Sequence, residues 1–207
     1  NAHVRVRHPD ILRELATLGA DLASGLSIGV HKRVSTPGTC EFQGVKAVPS
    51  CDEFVAATRS VITSLAEQGR AITHVFLATD DSEAVEAFRL AFRNTLHVRA
   101  DVQRVAGGVN PDGTFSEVHL KSPHNPQCTL QDAVDVLTDA LLLAKCHVII
   151  HMDSNVTTAV SLMAPNAKML HVASLLGRAA PNTFTEVDLR RLKRAMIMSN
   201  VKSKPAS

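Results

Sequence analysis

Apolar positions along this chain alternate between a spacing of two and a spacing near 3.6, and the switches predict strands and helices in turn. Pro9 opens the first periodic segment, where Ile11, Leu12, Leu15, Leu18 and Leu22 form one stripe of a helix expected over 10–23, with Gly19 its soft spot and Ser24-Gly25 its stop. Leu26-Ser-Ile-Gly-Val-His-Lys-Arg33 reads as a short strand with Ile28 and Val30 on one face, running into the breaker-rich Ser35-Thr-Pro-Gly-Thr39. Ser50 with Glu53 three residues on is a capping-box pattern, so a helix is expected over 51–68 with Gly69 past its end. A strand over 73–78 follows, then Thr79-Asp80-Asp81 and a helix over 83–92. A weaker strand fits 96–104.

Between 106 and 128 the periodicity vanishes while Gly107, Gly108, Pro111, Gly113, Pro123 and Pro126 accumulate. So long a run without repeating structure suits a lid or binding loop ordered by a ligand or a neighbouring chain. Thr129 caps a helix expected over 130–145, with Ala133, Val134, Leu137, Leu141 and Ala144 as its buried stripe and Asp132, Asp135 and Asp139 on another face. A strand over 147–151, a turn at 152–157 entering a helix that reaches Met163, a strand over 168–172 and a basic helix over 187–198 complete the pattern, and the tail 203–207 should fray.

Strands and helices alternating over this length predict an α/β fold with a doubly wound, mostly parallel sheet. The expected organisation is an N-terminal helical segment over 1–25, a sheet domain over 26–175, and a C-terminal helix and tail over 176–207. In such folds ligands bind at the C-terminal ends of the strands, where Arg33, Asp80-Asp81 and Asp153-Ser154 all fall. Arginine at a strand exit can grip two oxygens of a pyrophosphate with its planar fork, or simply form a surface ion pair. Asp153 or Ser154 at a helix start caps the helix, and the same backbone N–H groups favour an anion.

Composition removes several alternatives. Of 207 residues, 45% are hydrophobic and 20% charged, enough apolar content for a full core. A formal charge of +2, dispersed basic residues and the absence of Trp and Tyr give no nucleic-acid signature. Cys40, Cys51, Cys128 and Cys146 form no Cys-x-x-Cys pair, and Cys146 in its apolar run is expected to be a buried thiol. The histidines show no His-Glu-x-x-His, so no metal site is expected, and no apolar run reaches membrane-spanning length. Asn155-Val156-Thr157 matches a glycosylation sequon but sits at a helix start. A Gly-x-x-x-x-Gly-Lys-Ser/Thr loop and a Gly-x-Gly-x-x-Gly after a strand are both missing, which argues against a P-loop NTPase and a nicotinamide dehydrogenase. A chain starting at Asn1 without Met reads as processed or truncated.

Three motifs in order, Ile28-Gly-Val-His-Lys-Arg33, Val75-Phe-Leu-Ala-Thr-Asp-Asp81 and Thr138-Asp-Ala-Leu-Leu-Leu-Ala-Lys-Cys146 followed by Asp153-Ser154-Asn155, resemble the α1,6-fucosyltransferases, the nodulation fucosyltransferases and, more distantly, the protein O-fucosyltransferases. The resemblance spans about residues 26 to 172. It implies a Rossmann-like domain, the donor-binding half of a GT-B-like glycosyltransferase, with GDP-fucose as donor substrate and no metal or other cofactor. Carried over by position, Arg33 would hold the β-phosphate and His31 would lie beside the nucleotide. Asp80 and Asp81 would contact or flank the guanosine, Asp139 would contact guanine, and Asp153-Ser154 would meet the phosphates.

The chain departs from the family after the first strand, where a second Arg, an Asp, a Lys and Gly-Thr-Glu are replaced by Val34, Thr36, Pro37 and Gly38-Thr39-Cys40, with Glu41 one residue late. Arg33 and Glu41 are therefore the catalytic candidates, Glu41 standing in the altered general-base region. Only 25 residues precede the first strand, so the expected partners besides the nucleotide sugar are a missing N-terminal half or other chains of an assembly. Two readings stand: a donor-binding domain of an inverting fucosyltransferase, placed in the Golgi lumen, or a non-catalytic subunit of a larger assembly in an organelle or the cytoplasm.

Overall fold

Ser27–Lys32 forms the central strand β1 of a five-stranded sheet, and all six of its residues are buried. A parallel strand covered on both faces has no solvent side, so polar Ser27, His31 and Lys32 are enclosed with Ile28 and Val30. This is a computed structural model of the protein, and it describes residues 6–34, 48–118, 120 and 122–178. Beside β1 lie β2 (His74–Thr79) and β4 (Val148–His151), with β3 (Leu96–His97) and β5 (Lys168–His171) at the edges, in the order β3-β2-β1-β4-β5. Every pairing is parallel.

Helices cover both faces. Ile28, Val30, Val75, Leu77, Val148 and Ile150 point to one side, where α3 (Cys51–Glu67) and α4 (Ser82–Phe92) supply Phe54, Val61, Leu65 and Phe88, and α7 (Val172–Leu175) supplies Val172. Phe76, Ala78 and Ile149 point to the other, against Leu22 of α2 (Leu18–Ser24), Leu142 and Leu143 of α5 (Leu130–Leu143) and Val160 of α6 (Asn155–Met163). Gly29 permits the close seat of α5: a Cβ there would come 2.9 Å from a Leu143 methyl and 3.1 Å from the Cys146 sulfur. Cys146 is buried as expected, and burial pushes its thiol up to about 12.

Two helix starts match their sequence signals closely. Ser50 and Glu53 form a reciprocal capping box on α3, and Thr129 and Asp132 do the same on α5. Gly69 takes φ 73° just past α3. The first expected helix is instead two, α1 (Pro9–Ala16) and α2, broken at Thr17 rather than softened at Gly19. The Thr17 hydroxyl donates back to Arg13 O at 3.0 Å, and its ψ of −90° turns the chain.

The buried side of α5 also differs from expectation. Its enclosed residues are Asp135, Thr138, Ala140, Leu142 and Leu143, while Ala133 and Leu137 face outward. Arg99, beyond β3, draws Asp135 and Asp139 inward and so sets the rotation of the helix. The expected strand over 96–104 is reduced to β3, with one further parallel bridge between Val105 and Asp81. Among its described residues the segment over 106–128 has no helix or strand, but it carries its own polar clasp. Buried Asn125 donates to Phe115 O and Leu120 O and accepts from Asn110, whose amide also donates to the Thr114 hydroxyl. The helix expected over 187–198 lies outside the described residues.

Candidate functional site

The chain winds from β1 outward through β2 to β3, then returns to place β4 and β5 on the other side of β1. The order reverses between β1 and β4, which opens a crevice beyond the C-terminal ends of these two strands. His31 of β1 pairs in register with His151 of β4, and both side chains lie on the face covered by α5 and α6. Directly after β4, Ser154 caps α6: its hydroxyl accepts the Thr157 N–H at 3.1 Å, and the Thr157 hydroxyl accepts the Ser154 N–H at 3.1 Å. The Ser154 Oγ stands 3.5 Å from His31 Nδ1. Burial, then the charge of Arg33 and the neighbouring His151, push the His31 imidazole down to about 3, so it is neutral at physiological pH.

Arg33 leaves the end of β1 with its Nε 3.5 Å from Asp80 Oδ2, and about a fifth of its side chain is exposed. The other Asp80 oxygen accepts the Val34 N–H at 2.6 Å. One carboxylate at the end of β2 thus clamps both the backbone and the guanidinium at the exit of β1. Burial raises the Asp80 pKa against the opposing pull of Arg33 and the Val34 N–H.

Asp81 has a structural task on the opposite face. Its Oδ1 accepts the N–H groups of Glu83 and Ala84, capping α4, and its Oδ2 is ion-paired with Lys32. Both side chains of that pair are almost wholly enclosed. The Cys51 thiol, at the start of α3, leans on the same carboxylate at 3.7 Å, and its pKa is raised, first by burial. Cys51, Asp81 and Glu83 bring ligand atoms within 4.8 Å of one another, among the described residues the one grouping with metal-ligand potential. The Lys32 ammonium already supplies the cation for Asp81.

Asp139 lies away from the β1/β4 crevice, on α5, where Arg99 binds Asp135 at 2.7 Å and Asp139 at 3.2 Å. One guanidinium thus serves two carboxylates. Asp139 holds the longer contact, and burial pushes its pKa up to about 6 despite Arg99 and Arg104. Asp153, the residue before the Ser154 cap, places Oδ2 3.5 Å from His171 Nε2.

The structure therefore brings Arg33, His31, Asp80, Asp153 and Ser154 to the C-terminal edge of β1, β2 and β4, puts Asp81 beneath that edge, and places Asp139 apart. Glu41 and the rest of 35–47 lie outside the described residues. Sequence reasoning passed over Lys32, although a lysine two positions after Val30 must occupy the same buried strand face and so requires a carboxylate. It also passed over His151 and His171, which only strand register brings into line with His31. Arg99 carried no local signal.

Among the described residues no helix is long and apolar enough to cross a membrane. No known protein-family model matches the chain, and no curated protein matches it. Solved structures that resemble it include POFUT1 in complex with GDP, at TM-score 0.40 and 13% identity over 78% of this chain and 44% of that one. POFUT1 in complex with GDP-fucose is similar at TM-score 0.36 and 11% identity, over 77% of this chain and 46% of that one. The chain thus spans under half the length of these structures, and neither likeness bears on what it binds.

Proposed function

We propose that the chain is a nucleoside-diphosphate-binding domain of the Rossmann-like type, serving as the donor-binding half of a fucosyltransferase-like protein whose substrate is GDP-fucose. One observation carries this reading: Arg33 leaves the C-terminal end of β1 and α6 begins directly after β4, the strand paired with it, with His31 Nδ1 3.5 Å from the Ser154 cap. A cation and a helix N-terminus at one sheet edge suit a pyrophosphate, the first supplying charged donors and the second backbone N–H groups. Neutral His31 would act as a hydrogen-bond partner, not as a charge. Asp80 would brace Arg33 rather than touch the ligand, and guanosine contacts from Asp81 or Asp139 would require Lys32 or Arg99 to let go.

For transfer, negative charge builds on the departing diphosphate as the sugar bond breaks. Arg33 and the α6 terminus would stabilise it while an acceptor hydroxyl attacks the opposite face with inversion, Glu41 being the candidate base. The phosphate dependence of binding tests the reading. Equilibrium titration should give affinity in the order GDP, GMP, guanosine, whereas equal binding of GDP and guanosine would refute a pyrophosphate site.

The second reading, a non-catalytic subunit that keeps the sheet, draws on a different observation. Asp80, Asp81 and Asp153 each face a cationic or imidazole side chain of the same chain, so the edge is electrostatically satisfied without ligand. Incubation with GDP-fucose separates the two: release of GDP that depends on an acceptor supports the transferase, and GDP binding without turnover supports the subunit.

A further inference from the structure

Toward the other end of the sheet, away from the ligand edge, two histidines of neighbouring strands meet. His74 opens β2 and His97 closes β3, and His74 Nδ1 lies 2.9 Å from His97 Nε2, the half-buried rings tilted at 54° with centroids 5.0 Å apart. At this separation one imidazole donates an N–H and the other accepts it through a lone pair. A first added proton goes to the outer nitrogen of the donor ring and leaves the bond intact, now charge-assisted. A second must occupy the accepting nitrogen, which ends the bond and sets two imidazolium N–H groups against each other.

The strand so fastened is short. β3 pairs with β2 at two positions, Val75 with Leu96 and Phe76 with His97, and Leu96 rests on the core. Beyond it the chain passes through Arg99, which holds Asp135 and Asp139 of α5, to Val105, whose N–H donates to Asp80 O at 2.9 Å at the exit of β2. Register puts both rings on the sheet face covered by α2 and α5, with α4 on the opposite face. α2 brings one charged residue, Asp21; on α5, Asp135 and Asp139 are held by Arg99, and Asp132 is engaged in the helix cap. Burial and then His74 lower the pKa of His97, and Asp21 opposes them.

We propose that His74 and His97 form a proton-operated latch between β2 and β3: with no more than one added proton it holds β3 and the segment up to Val105 in place, and with two it lets them go. The latch is independent of what the ligand edge binds. The folded chain resists the second proton, whereas the unfolded chain takes it near the ordinary histidine value of 6.5. The latch is therefore closed above that value and opens as the pH falls below it.

Hydrogen–deuterium exchange over residues 96–105 at about pH 7.5 and about pH 5.5, corrected for intrinsic rates, reads the latch directly. Wild type should lose roughly three- to tenfold in protection on acidification, the effect of one proton excluded from the closed form. In His74→Asn, where asparagine stays polar but cannot be charged, the change should stay within about twofold. Protonation of Asp139 beside Arg99 occurs in both proteins and cancels in the comparison. The same acid response in both proteins would overturn the proposal, as would wild-type protection that does not change. If His74→Asn does not fold, the imidazole nitrogen NMR shifts of the wild-type protein decide: two separated protonation steps support the latch, and both rings protonating together near 6.5 overturn it.

Discussion

At the residue scale, the least replaceable contact at the edge is one that no ligand needs to touch. Lys32 and Asp81 form an enclosed ion pair, and removing the lysine charge leaves a carboxylate buried against α4. Lys32→Met should cost about 3–5 kcal/mol of stability, the range for breaking one side of a buried pair, measured by urea unfolding. Asp139 makes a pH-dependent contribution of opposite character. Its folded pKa, about 6, lies above the ordinary 3.8, so the folded state holds the proton more tightly than the open chain. Stability from this group is full below about pH 4 and is lost as the pH rises through about 6. Relative to Asp139→Asn, the wild-type protein should therefore lose about 2 kcal/mol between those limits, and parallel stability curves for the two proteins would contradict the burial argument. The positions of Asp80 and Asp81 at a strand exit and of Ser154 at a helix start were legible from sequence, because strand ends and caps have local signatures. Their partners were not: Lys32 meets Asp81, and Arg33 meets Asp80, only once β1 and β2 lie side by side.

At the element scale, capping boxes and turn glycines located α3 and α5, since those signals lie within four residues of each helix end. The rotation of α5 was read incorrectly because apolar periodicity assumes that the core is apolar. Here the inward face includes Asp135, matched to Arg99 from the segment after β3, and the stripe through Leu130 and Leu137 is left outside. Substitution can measure that rotation directly. Leu142→Ala should destabilise by about 2–5 kcal/mol, as for a buried leucine, whereas Leu137→Gln should stay within about 0.5 kcal/mol. The reverse ranking in thermal or denaturant melts would restore the orientation expected from periodicity. The split at Thr17 teaches the same lesson on a smaller scale. Glycine marks where a helix can bend, but a hydroxyl that bonds the preceding turn and a rotated ψ decided where this one does.

At the scale of the whole molecule, a series of parallel crossovers places every strand exit on one edge, and the reversal between β1 and β4 leaves the crevice there. The doubly wound sheet was legible because its alternation extends along the described chain. The division of labour at its edge was not, because it depends on which face each side chain takes. On the α5 and α6 side, His31, His151 and Ser154 line the crevice, while Lys32 and Asp81 lock the other side shut. The proposed diphosphate site lies at this edge, between Arg33 and the start of α6. Calorimetric titration of GDP into wild type, Arg33→Ala and Arg33→Lys tests it most directly. Wild type should bind, Arg33→Ala should lose roughly 1.5–3 kcal/mol of binding energy, and Arg33→Lys should recover only part, since a point charge cannot replace the fork. Folded wild-type protein that binds no GDP, or Arg33→Ala that binds it as tightly as wild type, would contradict it.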